Sequence, residues 1–343
     1  MRKKSYNFLD RQTDRQTDRN HTVDLLKGVF ILFVLITHFD WTVTERKLLL
    51  FPFWIAMAVP GFMFLSGYVI SLSFCKRTER IVNTNYIVKK LIRFTVPFLI
   101  VFVCEATVGF FAGNIELSIF RILKDFIKGG YGPGSYYYPL MIQSIIIFPI
   151  MFFIIRAYQE KGLALCIGFN LAFEIFQKYF LSDDIYRLLI FRYVLIIAVG
   201  MYVALNCKKK IKTNLMILCF VLGFAYIIAF CYYEITPVIT TKWTGTSMFA
   251  SLYLIPIMVL LLRINLANSV LEYVGKCSYD IFLTQMAYYW IGRDIITKII
   301  PYKWLDLIIG ITICLICGIL FNKIETPITN KIIRICTVKD SSN

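Results

Sequence analysis

A chain of 343 residues with 58% hydrophobic side chains, 17% charged side chains and a mean hydropathy of +0.68 is too apolar for a soluble domain, which runs nearer half apolar and a quarter charged. The formal net charge of +16 does not point to nucleic acid, because the basic residues cluster in short connections between apolar runs. There they act as a topology signal and attract anionic headgroups. No polar stretch exceeds about 25 residues, too short to bury a core, so one membrane domain is expected, with no appended soluble domain.

Residues 1–22 are polar and basic, with no short apolar stretch or small-residue cleavage site of a signal peptide. Asp10-Arg11-Gln12-Thr13 repeats as Asp14-Arg15-Gln16-Thr17 and begins again at Asp18-Arg19. A low-complexity polar tail of this kind is expected to be disordered. The codons GAC-AGA-CAG-ACA spell Asp-Arg-Gln-Thr and are copies of GACA, so the repeat can also mark a tetranucleotide tract. Slippage in such a tract shifts the frame and switches expression off, a behaviour suited to an enzyme that alters a surface antigen.

Ten apolar runs of spanning length follow, near 23–43, 53–74, 91–112, 136–155, 162–181, 186–206, 214–233, 247–262, 278–298 and 304–322. They predict an all-α, polytopic membrane helix bundle of about ten transmembrane helices over 23–330, with a polar tail at 331–343. The 30 Phe and 21 Tyr suit lipid-facing and interfacial surfaces. Alternate connections carry Lys76, Arg77, Arg80, Lys89, Lys90 and Arg93, then Arg156 and Lys161, then Lys208 to Lys210 and Lys212. The opposite ones mix signs, with Glu45 beside Arg46 and Lys47, and Asp183 and Asp184 beside Arg187. The positive-inside rule therefore places the first set and both termini in the cytoplasm.

An ionisable group at membrane depth costs several kcal/mol and marks a candidate site. Those within the runs are Asp24, Lys27, His38, Glu105, Glu174, Arg192, Asp280 and Glu325. Near helix ends, Asp24, Asp280 and Arg192 are expected to snorkel, while Glu105 and Glu174 are open to structural or functional roles. Lys27 and His38 stand eleven residues apart, three turns plus roughly 20°, so they share a helix face about 16 Å apart along the axis. A neutral imidazole can take a proton from a hydroxyl near pH 7, so His38 suits a general base, although a packing role fits the spacing equally. Ten cysteines lie mostly in or beside apolar runs, and Cys314-x-x-Cys317 has no second ligand pair, so packing rather than a metal or disulfide is expected.

Asp24-Leu-Leu-Lys27-Gly28 with His38 resembles the opening helix of the membrane acyltransferase-3 family, marked by Arg, ten residues, His. Val59-Pro60-Gly61-Phe62-Met63-Phe64-Leu65-Ser66-Gly67-Tyr68 is similar to its "vPxFFxlSGf" run. Lys89-Lys90-Leu91-Ile92-Arg93 with Pro97 resembles its Arg-x-x-Arg and proline segment. Tyr136-Tyr137-Tyr138-Pro139-Leu140, after the glycines from Gly129 to Gly134, sits where the family has "WFL". Gly275-Lys276-Cys277-Ser278-Tyr279-Asp280-Ile281-Phe282-Leu283 resembles "lGxxSYxiYL", and Glu325-Thr326-Pro327 resembles the closing "E-x-P". Together these cover 23–330 in order. Lys27 and Lys90 replace family arginines, losing the bidentate fork, and Gln285 stands where a second histidine is common.

The resemblance implies a membrane O-acyltransferase moving acetyl from acetyl-CoA to a hydroxyl of an envelope polysaccharide or lipid-linked glycan, lipopolysaccharide or capsule being the leading candidates. His38 would be the catalytic base, alone or with a carboxylate, and Glu325 would orient it or CoA. Lys27, Lys90 and Arg93 would meet the CoA phosphates, no metal being required. The expected setting is a bacterial inner membrane, with membrane lipid as the surrounding partner. Ser66-Gly67 is expected to allow close helix approach rather than act as a nucleophile. The alternatives are a transporter or flippase of an envelope glycan or lipid-linked precursor, and a non-catalytic assembly subunit; no inverted repeat favours transport.

Overall fold

The computed structural model describes residues 21–76, 82–115, 118–207, 211–239, 242–299 and 302–337. The repeat at Asp10–Arg19 lies outside the described residues. Within them the chain is largely helical and contains no strand.

The long elements are α1 (His21–Thr37), α2 (Ala58–Cys75), α3 (Thr84–Phe111), α4 (Ile119–Lys128), α5 (Tyr137–Tyr158) and α6 (Glu160–Phe180). They continue with α7 (Val194–Leu205), α8 (Thr213–Ile227), α9 (Met248–Arg263), α10 (Ser269–Lys276), α11 (Ser278–Ala287) and α12 (Lys303–Cys336). Among the described residues, seven helices are long and apolar enough to cross a membrane by length and composition alone. The other three expected runs do form helices, but short or interrupted ones. α1 has 17 residues, α7 has 12 after a 3-10 turn at Ile190–Tyr193, and 278–298 is broken by a π-helical turn at Tyr288–Gly292. At the other extreme, α12 runs 34 residues, past the expected boundary at 331, with Pro327 inside it.

Apolar side chains cover both surfaces of the bundle. Inside, Ile31, Leu35, Met63, Phe64, Phe152 and Ile197 are fully buried. Outside, α8 presents Leu215, Leu218, Val221 and Leu222. With no gain from moving an apolar side chain out of lipid, helix contact here depends on close packing of small residues. Gly67 of α2 faces the Ile197 carbonyl of α7, and Gly200 of α7 faces the Phe64 carbonyl of α2, so the Ser66-Gly67 step serves the expected close approach. Gly28 of α1 and Gly275 of α10 do the same: a Cβ at Gly28 would meet the Leu271 carbonyl, and one at Gly275 the Asp24 carbonyl.

The ends of α1 are also anchored. At its start Glu272 bonds His21 Nδ1 at 2.6 Å, and the His21 ring holds that carboxyl below its usual range. At its finish Arg293 Nη2 lies 2.7 Å from Asp40 Oδ2. Lys303 Nζ lies 2.5 Å from Glu45 Oε1, and this bond, with the Thr42 cap behind it, brings the Glu45 carboxyl down to about 2. Gly275→Leu is expected to force α1 and α10 apart and cost at least about 1–3 kcal/mol by overpacking. The thermal unfolding midpoint in detergent should fall clearly below that of the wild type; an unchanged midpoint would contradict the crossing.

Candidate functional site

α1 lines one wall of an internal cavity of about 610 Å³. Asp24 and Lys27 stand at one end, joined by Lys276 and Ser278 from the α10–α11 junction. Ile31, Val34, Phe62, Met141 and Phe282 make an apolar middle. His38, Pro133, Gly134, Trp243 and Thr246 close the other end. The helical rise puts the Lys27 and His38 levels about 16 Å apart, so the shared face read from the spacing is a continuous cavity wall. Lys27 Nζ lies 3.7 Å from Asp24 Oδ1. An adjoining cavity of about 140 Å³ is lined by Lys27, Ser66, Phe94 and Met141, as the first is, and adds Lys90. Lys27 and Lys90 therefore converge.

Arg93 does not join them. It is exposed and lines neither cavity. Three residues beyond Lys90, it is turned about 60° around α3, and its exposed position suits a basic side chain at headgroup level.

Glu325 is not near His38 either. Lys303, at the start of α12, is bonded to Glu45, and Trp304 packs on Trp41 with ring centroids 5.5 Å apart, so this end of α12 lies at the His38 level. Glu325 follows 22 residues later (325 − 303), about 33 Å along the axis, toward the opposite end of the bundle. Its carboxylate is buried and accepts bonds from Thr326 Oγ1 at 2.8 Å and Thr329 Oγ1 at 2.6 Å. A carboxylate so placed cannot orient the imidazole.

His38 is half-buried at the end of α1. Its ring centroid is 6.3 Å from that of Tyr289, whose hydroxyl donates to the Leu35 carbonyl at 2.9 Å. A Cβ built on Gly134 would stand 3.3 Å from His38 Nε2, so the 129–134 loop lies against the imidazole. Among the described residues no side chain hydrogen-bonds the ring. Asp24, the carboxylate in this cavity's lining, is at the other end, so no carboxylate lining the cavity stands beside His38. Gln285, at the family's second histidine position, is fully buried and donates through Nε2 to the Pro133 carbonyl at 3.0 Å.

The other ionisable candidates are internal. Asp24, Asp280 and Arg192 are 6%, 4% and 1% exposed, so they do not snorkel as expected. Asn322 Nδ2 donates to Asp280 Oδ2 at 2.7 Å. Arg192 donates to Thr246 Oγ1 and lies 4.8, 4.8 and 4.9 Å from the ring centroids of Tyr186, Tyr193 and Trp243. Glu174 accepts the Tyr186 hydroxyl at 2.9 Å, and Glu105 accepts the Tyr131 N–H at 3.3 Å. Cys314 is buried and Cys317 exposed. Sequence reasoning passed over Lys276, Arg187, Trp243 and Thr246 as lining residues. Lys276 stood within a motif, whereas Trp243 and Thr246 lie just outside or at the edge of an apolar run and carried no signal.

The fold and cavity define a multi-pass helical membrane protein in which basic residues and one imidazole occupy opposite ends of an internal cavity. A family model described as an acyltransferase domain, that of acyltransferase family 3, matches residues 20–323. The chain belongs to this family and is a membrane acyltransferase. No curated protein and no solved structure matches it.

Glu325→Gln is expected to leave the pH dependence of acyl transfer unchanged, because its carboxyl lies far from His38. Rate–pH profiles of the two forms in membranes check this; displacement of the acidic limb by a full pH unit would contradict the separation.

Proposed function

We propose that the protein transfers an acetyl group from acetyl-CoA to a hydroxyl of a cell-surface polysaccharide, lipopolysaccharide or capsule. The observation that carries this reading is the single cavity joining Lys27 to His38. CoA is an anionic nucleotide on a long, uncharged arm that ends in the thioester. Lys27, Lys90 and Lys276 suit its phosphates as charge-assisted partners. Ile31, Val34 and Phe282 line an uncharged path between the two ends that its arm would follow. The acceptor hydroxyl approaches from the opposite face, where Tyr136, Tyr137 and Trp243 offer ring faces for a sugar.

In this reading His38 takes the proton of the acceptor hydroxyl as the oxygen attacks the thioester carbon. The C–O bond forms, the C–S bond breaks, and the proton returns from the imidazolium to the CoA thiolate. Acid–base action of this kind contributes on the order of 10²–10⁴ in rate, with positioning adding more.

The chain is placed in a bacterial inner membrane, with both termini and the Lys27 end cytoplasmic. The basic connections carrying Lys76, Lys89, Arg156 and Lys161 support that orientation. The Asp10–Arg19 repeat supports a slippable gene tract and phase-variable expression. His38→Ala is expected to abolish O-acetylation of the envelope glycan, measured by NMR of isolated polysaccharide, while inserting at wild-type levels. Full acetylation by this variant would overturn the reading. Consumption of labelled acetyl-CoA separates an acetyltransferase from a flippase, which leaves the donor intact.

A further inference from the structure

The loop between α4 and α5 is held more tightly than a connection needs to be. It begins at the left-handed α4 cap, Gly129, and keeps left-handed φ values at Gly130 and Gly134, of +100° and +87°. Two buried side chains from different helices grip it. Glu105 of α3, 1% exposed, accepts the Tyr131 N–H at 3.3 Å. Gln285 of α11, fully buried, donates Nε2 to the Pro133 carbonyl at 3.0 Å. Tyr131 is further fixed in a stack, its ring centroid 5.6 Å from Phe102 and 5.0 Å from Trp290.

Most backbone carbonyls at the end of this loop have partners. The Gly132 carbonyl accepts the Ser135 N–H at 3.2 Å, and the Gly134 carbonyl accepts the Tyr137 N–H at 2.9 Å. The Pro133 carbonyl is taken by Gln285, and Pro133 has no N–H. The N–H groups of Gly132, Gly134 and Tyr136 have no acceptor among the described residues, and of these three residues Gly134 is the one that lies against the His38 ring. Gly134 lines the cavity beside His38, at the position where a Cβ would stand 3.3 Å from Nε2. An unpaired amide N–H is costly where it is enclosed, and it is an asset where negative charge develops.

We propose that the Gly134 amide stabilises the oxyanion of the acyl-transfer intermediate, and that Gln285 is the positioning residue that aims it. The inference rests on the reading of His38 as the base. As the acceptor oxygen bonds to the thioester carbon, the carbonyl electron pair moves onto oxygen, and the Gly134 N–H donates to that oxygen. When the pair returns, the C–S bond breaks, CoA leaves as thiolate, and the proton held by His38 passes to sulfur. No further reactant is needed. A side chain at residue 134 would crowd both Nε2 and the Phe282 ring, 3.0 Å from the same Cβ position, so glycine gives the amide its place. The family's histidine at position 285 and the glutamine here share one capacity, an N–H that can reach the Pro133 carbonyl.

The test uses full-length protein in membranes, with labelled acetyl-CoA as donor and the cells' own envelope glycan as acceptor. Loss of one oxyanion donor costs on the order of 10²–10³ in kcat. Gln285→Leu, similar in size and without a donor, is expected to lower kcat at least about tenfold with KM for acetyl-CoA unchanged. Gln285→His, able to donate, is expected to recover most of that loss. A kcat for Gln285→Leu within twofold of wild type would overturn the proposal, as would a defect confined to KM or one that Gln285→His fails to repair. His38→Ala, assayed alongside, separates the two readings. If it keeps full activity the base assignment fails; if it is inactive while Gln285→Leu is unimpaired, only the loop proposal fails. Thermal midpoints in detergent identify any variant whose loss comes from misfolding, and the Gln285→His comparison then decides.

Discussion

The backbone-to-backbone crossing of α1 and α10 at Gly28 and Gly275 is the contact on which the site depends. α1 alone carries Lys27 and His38, one at each end of the cavity. Its 17 residues are too few to fix its own position in the bundle. The crossing sets its depth, and the His21–Glu272 bond at its start holds the register. Beyond its finish, Arg293 and Lys303 bind Asp40 and Glu45, tying the chain after α1 to the end of the α11 segment and the start of α12. Any slip along that crossing would move His38 away from the Gly134 loop and Lys27 away from Lys276 together. Side chains larger than hydrogen are excluded at both glycines, so the interface tolerates little slip.

The polar groups within the bundle follow from the same surroundings. A charge or amide facing lipid is costly, so most ionisable groups inside the bundle have a partner in the protein or border a cavity. Glu174 has the Tyr186 hydroxyl, Asp280 has Asn322, and Glu325 has two threonines of its own helix. Arg192 is enclosed by three aromatic rings and Thr246, and thereby fixes Trp243 and Thr246 where they line the cavity near His38. His38 is treated differently. It borders the cavity with no side-chain hydrogen-bond partner among the described residues.

Much of this was legible in the residues. Hydropathy located the long helical runs, because apolar length is what a bilayer demands, though it passed over the short α4 and α10, and helical periodicity put Lys27 and His38 on one wall. Periodicity has no reach between helices, and that is where the reading failed. Arg93 shares a motif with Lys90 but faces outward, since a small rotation about one helix separates cavity from headgroup. Glu325 looked like a partner for His38 only while the length of α12 was unknown; a continuous 34-residue helix carries it to the opposite end. Composition likewise does not register the π-helical turn at Tyr288–Gly292 or the 3-10 turn at Ile190–Tyr193 inside two of the ten runs. Gln285 was recognisable as a departure from the family, but its hydrogen bond to Pro133 depends on a loop brought from 152 residues away.

The central claim is that one cavity carries the acyl donor from the lysine end to His38. The most direct measurement is a cryo-electron microscopy structure with a ketone analogue of acetyl-CoA, in which an inserted methylene blocks cleavage at sulfur. The account predicts the nucleotide phosphates beside Lys27, Lys90 and Lys276, with the acyl carbonyl oxygen within hydrogen-bond distance of the Gly134 N–H and its carbon close to His38. Density for the acyl group outside the cavity, or at the Lys27 level about 16 Å short of His38, would contradict it.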